Sequence, residues 1–341
     1  MSITGFVSVP LMAQTPNTSE KKPFGIVIHG GAGAPDKQQM TKEKEAEYHA
    51  KLKEALQAGH TILERGGTSL DAVAAAITIM EDSPLFNAGK GAVLNFVGHA
   101  ELDASIMDGS TSASGAVAGV KETKNPILLA RAVMEKTSHV MLAGEGTDLF
   151  AREQGLPRVP NEYFITDRRR EAWQRLKDKE KENKTAPNNK TSDRSDAPQI
   201  PDSEETGFGT VGAVALDRDG NLAAGTSTGG RLNKMVGRVG DSPIIGAGNY
   251  ANNKTCAVSG TGHGEYFIRT VAAHTISVLM EHRQRDVKTA TETVLREIET
   301  MGGSGGIIAI DKEGRVALPF NTPGMYRGYQ LNGAEANVAI W

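Results

Sequence analysis

One cysteine, Cys256, is present in 341 residues. That excludes an internal disulfide framework and any multi-cysteine metal site, and it leaves Cys256 to read as a small buried hydrophobe. No apolar run approaches the roughly 20 residues a membrane-spanning helix needs, so no membrane partner is expected. An excess of one charge is also missing. With 38 Lys and Arg against 41 Asp and Glu, the formal net charge is -3, and no basic patch argues for a nucleic-acid partner. The eight histidines show no HExxH or similar spacing, and the acidic residues do not cluster as a cage, so no catalytic metal is implied. His49, His60 and His274 lie on expected helices and read as surface or packing residues.

The chain is long enough for one large domain or two ordinary ones. Its first residues, 1–23, read as a tail. A short apolar stretch from Gly5 to Ala13 resembles the end of an export signal but lacks a basic n-region, which leaves cytoplasmic and exported locations both open. "FGIVIHGGAG" (Phe24 to Gly33) reads as a buried strand ending in a glycine turn. A helix is expected from about Thr41 to Arg65, stopped by Gly66 and Gly67, and a second from an N-cap at Ser69 to before Pro84. "GAVLNFVGHAELDASIMDG" alternates around Gly98 and predicts a hairpin, followed by a strand, "SGAVAGV".

From about Arg168 a charged helix gives way to a tract without apolar residues, about Lys179 to Glu205. That tract cannot bury enough surface to offset its ordering entropy and reads as a mobile linker. Beyond it, "TVGAVALD", the turn "RDGN" and "LAAGTST" make a strand-turn-strand unit. "HGEYFIRTVAAHTISVLMEHR" and "DVKTATETVLREIETM" read as two helices, and "GGIIAIDKEGRVALPFN" as a closing hairpin. Strands, helices, strands and then the same order again predict an α/β (α+β) protein, a four-layer αββα sandwich of two antiparallel sheets flanked by helices.

"ETGFGTVGAVALD" holds rival readings. Gly207, Gly209 and Gly212 have dinucleotide-loop spacing, yet that loop must follow a strand and open a helix, whereas this one follows the linker and opens a strand. Gly225 to Gly229 fits the G-x-S-x-G elbow, with Asp241 and His263 following in hydrolase order, but "GGRLNKMVGRVGDSP" is too rich in glycine to be the helix that an elbow requires. The third reading takes Thr210 as a nucleophile exposed by cleavage after Gly209. A hydroxyl needs a base beside it, and an N-terminal threonine brings its own, an α-amine with a pKa of about 7.7 to 8.0. The plain alternative is a strand with a β-favouring threonine.

"VIHGGAG", "SPLFNAGKGAV", "ELDASIMDG", "GTVGAVALDRDGNLAAGTSTGG", "GRVGDSPIIGAGNYANN" and "SGTGHGEYFIR" together resemble the plant-type L-asparaginase/isoaspartyl peptidase family of N-terminal nucleophile hydrolases, over about Phe24 to Arg327 without the linker. The resemblance implies autoproteolysis between Gly209 and Thr210, with 24–209 forming an α part and 210–341 a β part of one domain. It implies that Thr210 is the nucleophile, that Thr228 orients it, and that Thr261 and Gly262 form an oxyanion hole. Arg238 and Asp241 would clamp the α-carboxylate and α-ammonium of the substrate, a pairing that selects a free amino-acid head group. Asn87 would contact the region of the nucleophile's amine, and Gly31 would lie near the site.

The same resemblance implies a structural sodium ion held mostly by backbone carbonyls of Met80, Glu81, Ser83, Phe86, Ala88 and Lys90, although Lys90 departs from the family's apolar or aromatic residue. His263 receives no catalytic role. The implied substrates are L-asparagine and β-aspartyl dipeptides, and the implied assembly is a dimer of cleaved αβ units. A glycosylasparaginase-like hydrolase and an uncleaved binding or storage homologue remain the alternatives.

Overall fold

The structure, a computed structural model, describes residues 22–185 and 209–341. Its strands are β1 (Gly25–Ala32), β2 (Leu102–Asp108), β3 (Ser114–Val120), β4 (Met141–Ala143), β5 (Val211–Leu216), β6 (Leu222–Thr228), β7 (Asn249–Ala251), β8 (Cys256–Gly262), β9 (Gly305–Asp311), β10 (Val316–Ala317), β11 (Met325–Leu331) and β12 (Asn337–Ala339). The α-helices are α1 (Lys42–Glu64), α2 (Ser69–Glu81), α3 (Pro126–Lys136), α4 (Glu145–Glu153), α5 (Asp167–Thr185), α6 (Gly264–Thr270), α7 (Ala272–Arg283) and α8 (Val287–Thr300).

An eight-stranded sheet has the order β12-β11-β1-β5-β6-β2-β3-β4, and a four-stranded sheet the order β10-β9-β8-β7. The apolar residues of β1, β5 and β6 run without polar alternation because these strands are covered on both faces. Toward one face, Ile26, Ile28, Ala213 and Ala215 pack with Leu52, Leu56, Val73 and Ile77 of α1 and α2. Toward the other, Val27, Val214 and Ala224 meet Ala257, Ile308 and Ile310 of the smaller sheet. The outer face of that sheet is covered by α6, α7 and α8 through Phe267, Ile276, Val294 and Ile298. These layers are the expected αββα sandwich, with one departure from two antiparallel sheets: β4 joins the edge of the larger sheet parallel to β3, because α3 lies between them in the chain and returns it in the same direction.

Local chemistry sets the helix ends. Thr41 Oγ1 accepts the Lys44 N–H at the start of α1, and Gly66, at φ +82°, follows its end. The cap of α2 is Thr68, whose side chain accepts from the Asp71 N–H, one residue before the expected Ser69.

Three further expectations are corrected. The hairpin around Gly98 does not form, because Asn95 closes the turn on itself. Its N–H donates to His99 O at 2.8 Å, and its Oδ1 accepts from the N–H groups of Val97 and His99 at 3.1 and 3.0 Å. Only the second half becomes a strand, β2, which pairs with β3 and β6 instead. The helix expected across "HGEYFIRTVAAHTISVLMEHR" breaks at Val271, at φ +47°, where the N–H groups of Ala273 and His274 donate to Ala247 O and Gly246 O. Finally, the start of the expected linker belongs to α5, which runs to Thr185 and is tied at Glu180 to Asn233 Nδ2; the rest of that tract and nearly all of the 1–23 tail lie outside the described residues.

Candidate active site

β5 and β6 pair antiparallel with Val211 opposite Ser227, which brings the residue before β5 beside the last residue of β6. Thr210 Oγ1 donates to Thr228 Oγ1 at 3.0 Å, and Thr228 Oγ1 also accepts the Gly230 N–H at 2.9 Å. The preceding carbonyl, that of Gly209, accepts the Asn87 N–H at 3.0 Å. Asn87 is held further: its C=O accepts the Gly229 N–H at 2.9 Å, its Nδ2 donates to Gly230 O at 2.7 Å, and its Oδ1 accepts the Val93 N–H at 2.9 Å. Gly31, at φ +111°, packs so closely that a Cβ there would overlap the Gly209 Cα.

The two rival motifs fail on this geometry. Gly209 and Gly212 flank the start of a strand rather than a helix. Ser227 sits inside β6 with its Oγ donating to Glu81 Oε1 at 2.6 Å, while His263 Nδ1 accepts the Ser304 N–H at 3.1 Å.

Thr210, Thr228, Gly230, Arg231, Arg238, Gly240, Asp241, Ser242 and Gly262 line one cleft. Gly262 ends β8, and the adjacent buried Thr261 has its Oγ1 accepting the Ala32 N–H at 3.3 Å, so its own proton is kept for donation. A hydroxyl, a restrained partner hydroxyl, a guanidinium and a carboxyl thus line one cleft, with Gly262 at its edge.

The family described as Asparaginase matches residues 21–340. An isoaspartyl peptidase of Escherichia coli (strain K12) is 49% identical over 317 residues, covering 93% of this chain and 95% of its own. The chain belongs to the asparaginase family. Vertebrate relatives agree. Isoaspartyl peptidase/L-asparaginase of Xenopus laevis is 43% identical over 297 residues, covering 87% of this chain and 89% of its own, and the Homo sapiens protein of the same name is 42% identical over 290 residues, covering 85% and 87%.

In this asparaginase-family chain the charged end of the cleft is built from a buried acid and a tethered base. Burial pushes the Asp241 carboxyl up to about 7 against the opposing pull of Arg238. Its Oδ2 has no hydrogen-bond partner among the described residues. Arg238 is held by Glu265, whose Oε1 accepts from Nε at 3.1 Å and Nη2 at 2.9 Å. Burial works against the charge of Glu265, but Arg238 holds its carboxyl below the usual range. Sequence reading missed Glu265, which stands inside "SGTGHGEYFIR" but is given no role by the resemblance, and which reaches Arg238 through the turn from β8 into α6.

His29 was missed as well. It is fully buried, and its Nδ1 is bonded to Thr210 O at 2.9 Å; the signal was a lone histidine inside an otherwise apolar strand.

The loop after α2 is curled by Gly89 and Gly91. A Cβ on Gly89 would overlap the Glu81 carbonyl oxygen, and one on Gly91 would lie 2.7 Å from those of Phe86 and Pro84. Two of the expected sodium ligands, Glu81 O and Phe86 O, are therefore carbonyls turned into a glycine-lined bend, and such oxygens suit a hard cation. Glu81 O also accepts the Lys90 N–H at 2.7 Å, while the Lys90 ammonium lies 5.6 Å from the centre of the Tyr163 ring. The Glu81 side chain turns away from the loop to Ser227 and the Ile127 N–H.

Proposed function

We propose that this chain is a self-processing threonine amidohydrolase, an isoaspartyl peptidase/L-asparaginase that releases L-aspartate from L-asparagine and β-aspartyl dipeptides. The observation that carries the reading is the Thr210 hydroxyl, 3.0 Å from Thr228 Oγ1, placed directly after Gly209 at the end of a cleft that also holds Arg238 and Asp241. The names of the relatives supply the substrate class.

Processing begins with attack of Thr210 Oγ on the Gly209 carbonyl. The negative charge that develops on that oxygen faces the Asn87 N–H, already 3.0 Å away, a preorganised donor that needs no reorganisation. The Oγ–C bond forms, the C–N bond breaks as the hydroxyl's proton passes to the departing Thr210 nitrogen, and water hydrolyses the resulting ester. The products are an α chain ending at Gly209 and a β chain from Thr210 to Trp341 with a free α-amine.

In turnover, that amine takes the Oγ proton as Oγ attacks the side-chain carbonyl of the substrate. The Thr261 hydroxyl and Gly262 N–H receive the oxyanion, each such donor typically worth about 3 to 4 kcal/mol. The amine then protonates the departing ammonia or amino acid, and water releases aspartate from the acyl-enzyme. Arg238 grips the α-carboxylate as a planar fork, and Asp241 receives the α-ammonium. A sodium ion would be held by the 80–90 loop, where it would stiffen the segment that carries Asn87. Two cleaved αβ units form the dimer.

Purified protein is to be assayed on L-asparagine, β-aspartyl-leucine and β-aspartyl-glucosamine, beside a Thr210→Ala variant. Hydrolysis of the first two by wild type alone is expected. Preference for the glucosamine conjugate would support the glycosylasparaginase alternative. No hydrolysis at all would leave a binding protein, and an active Thr210→Ala variant would remove the mechanism.

A further inference from the structure

We propose that His29, oriented by Ser259 and Thr226, is a positioning residue for the nucleophile, acting through the Thr210 carbonyl. The inference rests on Thr210 being the nucleophile.

Four buried groups, three from β1, β6 and β8 and one from the residue before β5, form a chain. His29 Nδ1 is 2.9 Å from Thr210 O, His29 Nε2 is 2.9 Å from Ser259 Oγ, and Ser259 Oγ is 2.7 Å from Thr226 Oγ1. His29, Ser259 and Thr226 are each 0% exposed.

The direction of every proton follows from the end of the chain. A carbonyl oxygen only accepts, so Nδ1 carries the hydrogen. Burial pushes the imidazole down to about 3, so the ring is neutral and Nε2 presents a lone pair. Ser259 must then donate to Nε2, and its oxygen accepts from Thr226 at 2.7 Å; the single Thr226 proton is then not given to Gly248 O, 3.3 Å away, a carbonyl that already accepts the Gly260 N–H at 2.8 Å. One tautomer and one set of hydroxyl rotors satisfy all the groups, and all of them point toward Thr210.

The arrangement is protected sterically. Gly212 lies opposite both His29 and Thr226 in the sheet, and a Cβ on it would overlap Ser259 Oγ and His29 Nε2. The glycine of "GTVGA" is therefore required by the histidine contact and not by a cofactor.

The consequence for chemistry is geometric. Thr228 holds the nucleophile's oxygen and His29 holds its carbonyl, so the Cα between them has both flanking groups fixed. Once Gly209 is detached, the amine stays joined to Oγ through Cα and Cβ, so its reach is set by χ1, which the Thr228 bond fixes, while the His29 bond fixes the rotation of the Thr210 backbone and so where amine and Oγ together face in the cleft. A neutral donor does this without placing a positive charge beside the amine that must act as a base.

The test compares His29→Leu, His29→Asn and Ser259→Ala as full chains, with cleavage followed by intact mass and kcat expressed per cleaved site. Asn can place its amide N–H where Nδ1 sits. For L-asparagine, His29→Leu is expected to lose at least 10-fold in kcat, or to stall in cleavage, with KM for the cleaved fraction within 2-fold. His29→Asn is expected to recover most of that loss, and Ser259→Ala to fall a few-fold in kcat. Selective 15N labelling of wild type should show His29 as the neutral Nδ1–H tautomer from about pH 6 to 8.

Wild-type kcat in His29→Leu would overturn the proposal. If that variant fails to fold, wild-type kcat in Ser259→Ala would do so. An Nε2–H tautomer or an imidazolium at neutral pH would also overturn it. Thr210→Ala, run alongside, separates this failure from the broader one: if it retains activity, the nucleophile itself is misassigned, whatever the His29 variants do.

Discussion

Asp241 ties substrate recognition to pH in a way that one substitution can read. To receive an ammonium it must be ionised, yet burial pushes its pKa up to about 7. The freed Thr210 amine, with an ordinary pKa of about 7.7 to 8.0, must also be unprotonated to serve as a base. Both groups lose their protons in the same direction, so kcat/KM should rise with pH. The logarithmic slope should approach 2 below about pH 6.5 and flatten near pH 8, before the substrate's own α-ammonium, which Asp241 must receive, loses its proton and turns the slope negative.

Asp241→Asn keeps the shape and removes one ionisation. The acid limb should fall to a slope of 1, leaving the inflection of the amine. The lost contact is a hydrogen bond to a charged group, worth about 1.5 to 3 kcal/mol; kcat/KM on the plateau should therefore drop about 10- to 150-fold, by the 1.36 kcal/mol that each factor of ten represents.

Stability should move the opposite way. A carboxyl raised from 3.8 to about 7 binds more protons folded than unfolded across that window. Its contribution is present at low pH and is lost as pH rises toward 7, by roughly 4 kcal/mol at 1.36 kcal/mol per unit. At pH 8 the variant should thus melt higher than wild type. The assays are pH profiles with L-asparagine and thermal melts at pH 5 and 8. A variant that keeps a slope of 2, or stays within 2-fold of wild type on the plateau, would refute this reading of Asp241.

Other perturbations test the remaining parts. Gly31→Ala would force a side chain against the Gly209 Cα at φ +111°; cleavage, followed by intact mass, should slow at least 10-fold while the folded chain persists. Thr228→Val removes the hydroxyl that holds Thr210 Oγ1 at 3.0 Å and should cost kcat about 2- to 13-fold, the range for a neutral hydrogen bond of roughly 0.5 to 1.5 kcal/mol, whereas Thr228→Ser should retain most activity. Glu81, raised by burial from 4.5 to about 8, should make stability fall as pH rises through that window; Glu81→Gln, keeping the acceptor for Ser227 and the Ile127 N–H, should melt higher than wild type at pH 9 and close to it at pH 5.

The parts of the fold that could be read in advance were those fixed by local chemistry. β5, its turn and β6 are specified by two apolar runs around "RDGN", and that hairpin alone places Thr210 opposite Thr228. Helix starts followed their caps to within a residue. Tertiary contacts decided what could not be read. Val271 has no glycine or proline to mark a break, and the helix parts there because Gly246 and Ala247 take its first N–H groups. "GAVLN" alternates like a strand, but the side chain of Asn95 competes successfully for its own backbone.

At the site, the residues to which the resemblance gives a role were legible, whereas His29, Ser259 and Glu265, although they stand inside "VIHGGAG" and "SGTGHGEYFIR", were not. Each acts through a partner more than 25 positions away, at |i−j| of 181, 230 and 27. Asn87 was expected to contact the region of the nucleophile's amine; the contribution the geometry reveals is its backbone N–H on the scissile carbonyl, which no side-chain identity announces.

The central claim is that Thr210 becomes both nucleophile and base when the chain breaks before it. The most direct measurement is the intact mass and N-terminal sequence of protein caught hydrolysing a β-aspartyl dipeptide. The account requires two fragments, the second beginning at Thr210, with activity growing in step with cleavage. A single uncut chain of 36.2 kDa that hydrolyses the dipeptide at full rate would contradict it.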